Sequence, residues 1–270
     1  MSNNSLRPND LPDFRDPPLN EVAIGVQFTQ PKGYQQIYAN EVWNLFRAEY
    51  PKVEEHESIS PSFETFGLPS IGQQMGLMMG PVHSRFWFMR PDGDELIQFQ
   101  HDRLLHNWRK IGDERNAYPR FESMIRRFHE EIGHLEGYVS SLSPQTLVIN
   151  QCEISYVNHI PLVNAASKAA DWLRFLEFSD KEPNDFSVAF REVISAEDDK
   201  PHARLTCEAH AGIKANRQRI IQLTLTVRGF PKHTDVDSAL EFISKGRELI
   251  VRKFADVTTS EAHTKWGRIR

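Results

Sequence analysis

The chain has 270 residues, which at roughly 150 residues per domain leaves two modest domains or one large one open. Thirty-seven acidic residues against 32 basic ones give a net charge of −5 with the histidines neutral, which excludes a general polyanion binder with a basic excess. Hydrophobic residues at 39% and charged residues at 26% match globular proteins and exclude wholesale disorder. Two cysteines, Cys152 and Cys207, exclude a disulfide framework and a four-cysteine zinc site. The first residues lack a charged-then-apolar signal pattern and no long apolar run follows, so the reading is a cytoplasmic protein without a membrane partner.

In chain order, residues 1–16 are polar and carry two prolines, which predicts a flexible arm. After Pro17-Pro18, Val22, Ile24, Val26 and Phe28 alternate with Glu21, Ala23, Gly25 and Gln27, the pattern of a half-buried strand. Helical spacing of Tyr38, Val42, Leu45 and Phe46 predicts a helix over Ile37–Tyr50, ended by Pro51. From Ser58 to Val82, Gly67, Gly72, Gly76, Gly80, Pro69 and Pro81 interrupt a stretch holding Met75, Met78 and Met79, which predicts a loop or broken strand. Ser84–Arg90, the turn Pro91-Asp92-Gly93-Asp94 and a strand from Glu95 to about Trp108 form a hairpin, since Asp-Gly tolerates positive φ. A helix from Pro119 to about Leu142 buries Phe121, Ile125, Phe128, Ile132 and Leu135.

The second half repeats the order. Leu147–Val157 reads as a strand with Val148, Cys152, Ile154 and Tyr156 on one side. Asn164 would cap a helix to about Phe178 with Ala165, Ala169, Trp172, Leu173 and Leu176 inward. Three alternating strands follow, carrying Phe186, Val188 and Phe190, then Leu205, Cys207, Ala209, Ala211 and Ile213, then Ile221, Leu223, Leu225 and Val227. A last helix over about Val236–Phe254 buries Val236, Leu240, Ile243, Ile250 and Phe254. The fold class is therefore α+β, built as two similar units of strand, helix, three antiparallel strands and helix. Their sheets join edge to edge or face one another across a pseudo-twofold. The division is an arm at 1–16, units at 17–143 and 144–256, and a tail at 257–270. In that tail Thr258-Thr259-Ser260-Glu261 can cap a further helical turn, and Trp266 either packs on the body or docks into a partner.

Several motifs in sequence — Pro17-Pro18-Leu19-Asn20-Glu21-Val22, Arg85-Phe86-Trp87-Phe88, Gln98-Phe99-Gln100-His101-Asp102-Arg103 leading to Asn107-Trp108-Arg109, Tyr118-Pro119 and Lys265-Trp266-Gly267-Arg268 — resemble a sporadically distributed bacterial protein family. The resemblance runs from about Pro17 onwards. It implies an association with mobile or defence genes and carries over no activity, cofactor or catalytic residue.

The densest polar-aromatic segment is Gln98–Lys110. Trp87, Arg103, Asn107, Trp108 and Arg109 are the candidate binding residues. Arg103 or Arg109 would clamp a carboxylate or phosphate with paired donors, and Trp87 or Trp108 would stack. The competing reading is a strand end whose charges satisfy neighbouring backbone and whose tryptophan covers the core. His101 and His106, five apart, point to opposite faces of a strand, and Cys207 and His210 also diverge, so no metal site is expected. The carboxylate pairs Glu54-Glu55, Glu130-Glu131 and Asp198-Asp199 read as solvated surface. There is no nucleophile elbow, phosphate loop or dinucleotide fingerprint, and no cofactor is implied. The reading is a non-catalytic binding or protein-interaction protein whose partner is another protein or a small ligand, with a homodimer open. An enzyme using His101 and Asp102 as acid-base groups is the alternative. A nucleic-acid regulator using Lys214, Arg217, Arg219 and Arg228 is the third; nucleic acid is not the expected partner.

Overall fold

The computed structural model describes residues 8, 10–67, 83–111, 116–162, 168–178, 183–196 and 199–270. The Gly-Pro-Met stretch at 68–82, with Asn164, Ala165 and Asp198, lies outside the described residues. Nine strands form a single antiparallel sheet: β1 (Leu19–Phe28), β2 (Lys52–His56), β3 (Arg85–Met89), β4 (Glu95–Gln100), β5 (Arg103–Arg109), β6 (Ile149–Pro161), β7 (Ser187–Ser195), β8 (Pro201–Ile213) and β9 (Arg219–Gly229). Their order across the sheet is β2-β3-β4-β5-β1-β6-β9-β8-β7. β1 and β6 pair at the centre, and each half of the chain contributes its own flank. The α+β class therefore holds, with the sheet segments joined edge to edge rather than stacked face to face. α1 (Ala39–Phe46), α2 (Phe121–Leu142), α3 (Val236–Val257) and α4 (Ser260–Lys265) complete the described elements.

Alternation along the strands sorts side chains onto two faces. The helix-covered face carries the cross-strand row Phe88, Ile97, His106, Ile24, Ile154, Val227 and Leu205. α3 presses onto this row so closely that a Cβ at Gly246 would stand 2.8 Å from Ile154 Cγ2. Its start is fixed by Asp235, whose carboxylate accepts from Ser238 N at 2.8 Å, a satisfied N-cap. On the opposite face the row reads Trp87, Gln98, Leu105, Gly25, Glu153, Arg228 and Arg204. That face is polar and carries no helix of the central pair.

Several elements differ from the sequence reading: β2 is not expected as a strand, and α1 is shorter than the helix expected over Ile37–Tyr50. The strand expected from Glu95 to Trp108 is two strands, because the chain reverses at His101-Asp102 and pairs Gln100 with Arg103. Neither turn residue has positive φ, so no glycine or asparagine marks the reversal. The helix expected after Asn164 is, where described, a short 3-10 turn at Ala169–Asp171, although Ala169, Trp172, Leu173 and Leu176 are buried. Val148 precedes β6 and is exposed, while Ile149 is buried; a register shift between Gln27 and Phe28 breaks the alternation there. α2 begins at Phe121, two residues after Pro119.

Composition suggests a loose arm over residues 1–16, yet Leu11 and Phe14 are buried. Asp13 and Arg15 donate backbone N–H groups to Arg270 and Gly267, and Ile269 donates back to Asp13. Apolar burial by Leu11 and Phe14 outweighs the polar composition of the segment. Trp266 is also buried, stacked between Trp172 at 5.6 Å and Phe254 at 5.3 Å. A hydrogen-bond relay holds this corner: Arg268 Nη1 donates to His263 Nδ1, His263 Nε2 to Thr258 Oγ1, and Thr258 Oγ1 to the Phe254 carbonyl.

Candidate ligand-binding site

On β3–β5, alternation places Trp87, Gln98, Arg103, Leu105, Asn107 and Arg109 on the open face. Trp108 faces the other way, is fully buried and packs on Tyr118 at 5.0 Å. It belongs to the core and is withdrawn from the site; adjacent residues on a strand cannot share a face. The remaining candidates split into two groups.

The first group is largely satisfied from within, Arg85 Nε being its one buried atom without a hydrogen bond among the described residues. His56 stacks on Trp87 at 4.1 Å, while Arg85 and Arg109 lie over the same ring at 5.6 and 5.4 Å. Arg85 and Trp87 donate to Gln98 Oε1, Gln98 donates to Asn107 Oδ1 at 2.9 Å, and Asn107 donates to Glu21. Burial, with the nearby Arg103 charge, lowers the Arg85 pKa. Arg109 is turned towards the Gly93 carbonyl at 3.0 Å. Trp87, Asn107 and Arg109 thus find partners within the hairpin.

The second group surrounds a hollow. Gly25, with the Leu105 side chain packed so close that a Cβ would stand 2.7 Å from its Cγ, lies in the middle of the open-face row beside Glu153. A cavity of about 180 Å3 lies there, lined by Gln27, Ile59, Ser62, Arg103, Leu105, Gln151, Glu153 and Arg228 among others. Over it passes the loop at 57–66, anchored at both ends. Gln100 exchanges two hydrogen bonds with the Ile59 backbone. Ser62 N donates to Gln27 Oε1, and Arg103 Nη2 donates to the Ser60 carbonyl. Further along, Arg204 bonds Glu64 and the Thr65 carbonyl, and Arg228 bonds Ser62 Oγ.

The charges around this hollow are paired. Arg103 Nε donates to Asp102 Oδ1 at 3.2 Å, and Arg228 is bound to Glu153. Gln151 differs from every other polar lining residue: it is 3% exposed, and neither its Nε2 nor its Oε1 has a hydrogen-bond partner. Leaving a buried amide unpaired costs about 1–3 kcal/mol. A guest received by the site, or an ordered water within the cavity, would satisfy it.

The chain matches no known protein-family model. No curated protein or solved structure matches it either. The family resemblance therefore rests on its motifs alone.

The other chemical candidates fare differently. His101 stacks on His83 at 4.0 Å with its Nδ1 buried and unpartnered. Burial lowers its pKa, with Asp102 opposing and His83 and Arg103 adding to the fall. Asp102 is bound to Arg103 and Gln100. Among the described residues no group of three or more His, Cys, Asp or Glu side chains could hold a metal ion, and no helix is long and apolar enough to cross a membrane. Both cysteines are free and buried, and burial raises both thiol pKa values, that of Cys207 to about 12.

Under α2 lies a cluster that sequence reasoning missed. His106, fully buried, places Nδ1 3.0 Å from Glu131, and Tyr50 donates to the same carboxylate at 2.5 Å. Glu95 lies 3.8 Å from His106 Nε2 and is bound to Arg127 and Arg90. Burial, then the Glu131 charge, pushes the Tyr50 pKa upward. The signal was present in the i, i+4 spacing of Arg127 and Glu131 on the inward side of a helix, but nothing local revealed that His106 would lie beneath them.

Proposed function

We propose that this is a non-catalytic binding protein that holds a small ligand on the open face of its sheet. The seat is the hollow over Gly25, walled by Arg103 and Gln151 and roofed by the loop at 57–66. The observation that carries the reading is Gln151, buried with both amide atoms unpartnered beside a cavity. Of the residues singled out from sequence, Arg103 belongs to this seat; Trp87, Asn107 and Arg109 would brace the hairpin that carries it. The paired state of Asp102 supports binding over acid-base chemistry. The pairing of Arg204, Arg228, Arg247, Arg252 and Lys253 with acids supports a ligand other than nucleic acid. Two buried free thiols suit a reducing, cytoplasmic setting.

The test is a thermal-shift screen of a metabolite library on wild type and Gln151→Leu. A compound that stabilises wild type and not the variant is expected. Identical responses of the two proteins across the library would remove the assignment.

The two halves also support a duplicated ancestry. Outward from the central pair, β1, β5, β4 and β3 in one half match β6, β9, β8 and β7 in the other, and each series ends in a long helix. Superposing Leu19–Leu142 on Ile149–Val257 tests this, and α2 failing to overlie α3 would reject it.

A further inference from the structure

We infer that the hollow over Gly25 receives an uncharged nucleobase-type ring, whose donor–acceptor edge pairs with the Gln151 carboxamide. This deepens the binding reading above and rests on it. The polar side chains around the cavity divide sharply. Gln27 accepts from Ser62 N and Arg103 and donates to Asn150. Arg103 is held by Asp102, and Glu153 and Arg228 hold each other. Gln151 alone among the described lining side chains offers a donor and an acceptor with nothing on either.

A carboxamide presents its N–H and its oxygen side by side, pointing the same way. The complementary partner must likewise present an acceptor and a donor next to each other. Nucleobase edges do this, and bidentate pairing of Gln or Asn with adenine is the familiar instance. A trans peptide group does not, because its N–H and C=O point in opposite directions; an extended peptide would leave one Gln151 atom unsatisfied. The hollow also favours a flat guest. Leu105, packed over Gly25, and Ile59 of the overlying loop give it apolar surface. Charge points the same way: both arginines at the hollow already have carboxylate partners, so a phosphate or carboxylate on the guest would have to displace one.

The experiment titrates the full chain with adenine, cytosine and uracil by calorimetry. Alongside run adenosine monophosphate, adenine dimethylated on its exocyclic amine, and N-acetylglutamine as a non-ring amide. At least one free base is expected to bind, with affinity falling about tenfold or more in Gln151→Leu, as for loss of a bidentate pair. Dimethylation should cost adenine a similar factor if adenine is the base bound, and the monophosphate should bind no better than its base. Thermal unfolding of Gln151→Leu guards against misfolding, since the leucine removes an unpartnered polar group and should leave the fold intact. Binding of a base equally by wild type and Gln151→Leu overturns the inference. Binding of N-acetylglutamine alone, lost in Gln151→Leu, overturns the ring assignment while upholding a ligand seat. No binding of any probe, combined with identical metabolite responses of the two proteins, overturns both.

Discussion

The two faces of the sheet each bury polar groups, and they satisfy them to different degrees. Beneath α2, Tyr50 and His106 Nδ1 are both matched to the Glu131 carboxylate, which offsets their desolvation, and His106 Nε2 alone lacks a hydrogen bond, with Glu95 3.8 Å away. Across the sheet, barely a strand away, Gln151 is just as deeply buried with nothing to bond. A network closed on itself contributes rigidity; one left with an open valence costs stability unless something external completes it. The two sites differ in degree: one ring nitrogen is unpaired beneath α2, and both amide atoms are unpaired at Gln151.

The strongest way to sharpen this contrast is to empty the helix-covered face. Trp108→Ala removes a fully buried indole and should cost about 4 kcal/mol in urea unfolding; a loss confined to ligand capture would return Trp108 to the site. Glu131→Ala strands the Tyr50 hydroxyl and the His106 ring and should cost about 3 kcal/mol, measured the same way. A neutral result would mean that the network does not hold the fold. pH makes a finer cut. Burial, first of all, lowers the pKa of His101 and of His263, and the Arg268 charge adds to it at His263. The unfolded chain then binds more protons as pH falls, so thermal stability should decline as pH drops through about 6.5. His263→Gln should flatten that decline, and an unchanged slope would count against the relay through Thr258. Smallest in magnitude and opposite in sign is Gln151→Leu, expected to raise stability by about 1 kcal/mol because it removes an unpaired buried amide. A loss as large as that of Glu131→Ala would mean that the carboxamide is satisfied after all.

The strands were the most legible part of the fold. The alternation of β1 and β9 predicts their buried faces residue by residue, because a half-buried strand must repeat every two positions; in β8 it holds for Leu205, Cys207 and Ala209 and fails at the end of the strand, where Ile213 is exposed. The turn at His101-Asp102 was not legible, since it needs no residue at positive φ. Missing it joined β4 to β5 and set Gln98 on the face opposite Arg103, Asn107 and Arg109, which it in fact shares; the parity that turns Trp108 away from them was readable either way. Arg103 could be picked out locally as a donor in a polar segment. Gln151 could not, because its importance arises from β6 pairing with β1, a contact far apart in sequence. The polar side of β6, Gln151, Glu153 and Ser155, was nevertheless written in the same alternation as its apolar side, and reading both faces would have flagged it.

The missing side chain at position 25 has a thermodynamic corollary. Peptide backbone has no rotamers to freeze when it is covered, so the part of the lining that Gly25 supplies gives up almost no entropy on occupancy. The ordering cost then falls on the guest and on the loop above it, where Ile59 and Ser62 are fastened by hydrogen bonds to Gln100 and Gln27. Loosening those fastenings should act on how long a guest stays rather than on which guest is chosen.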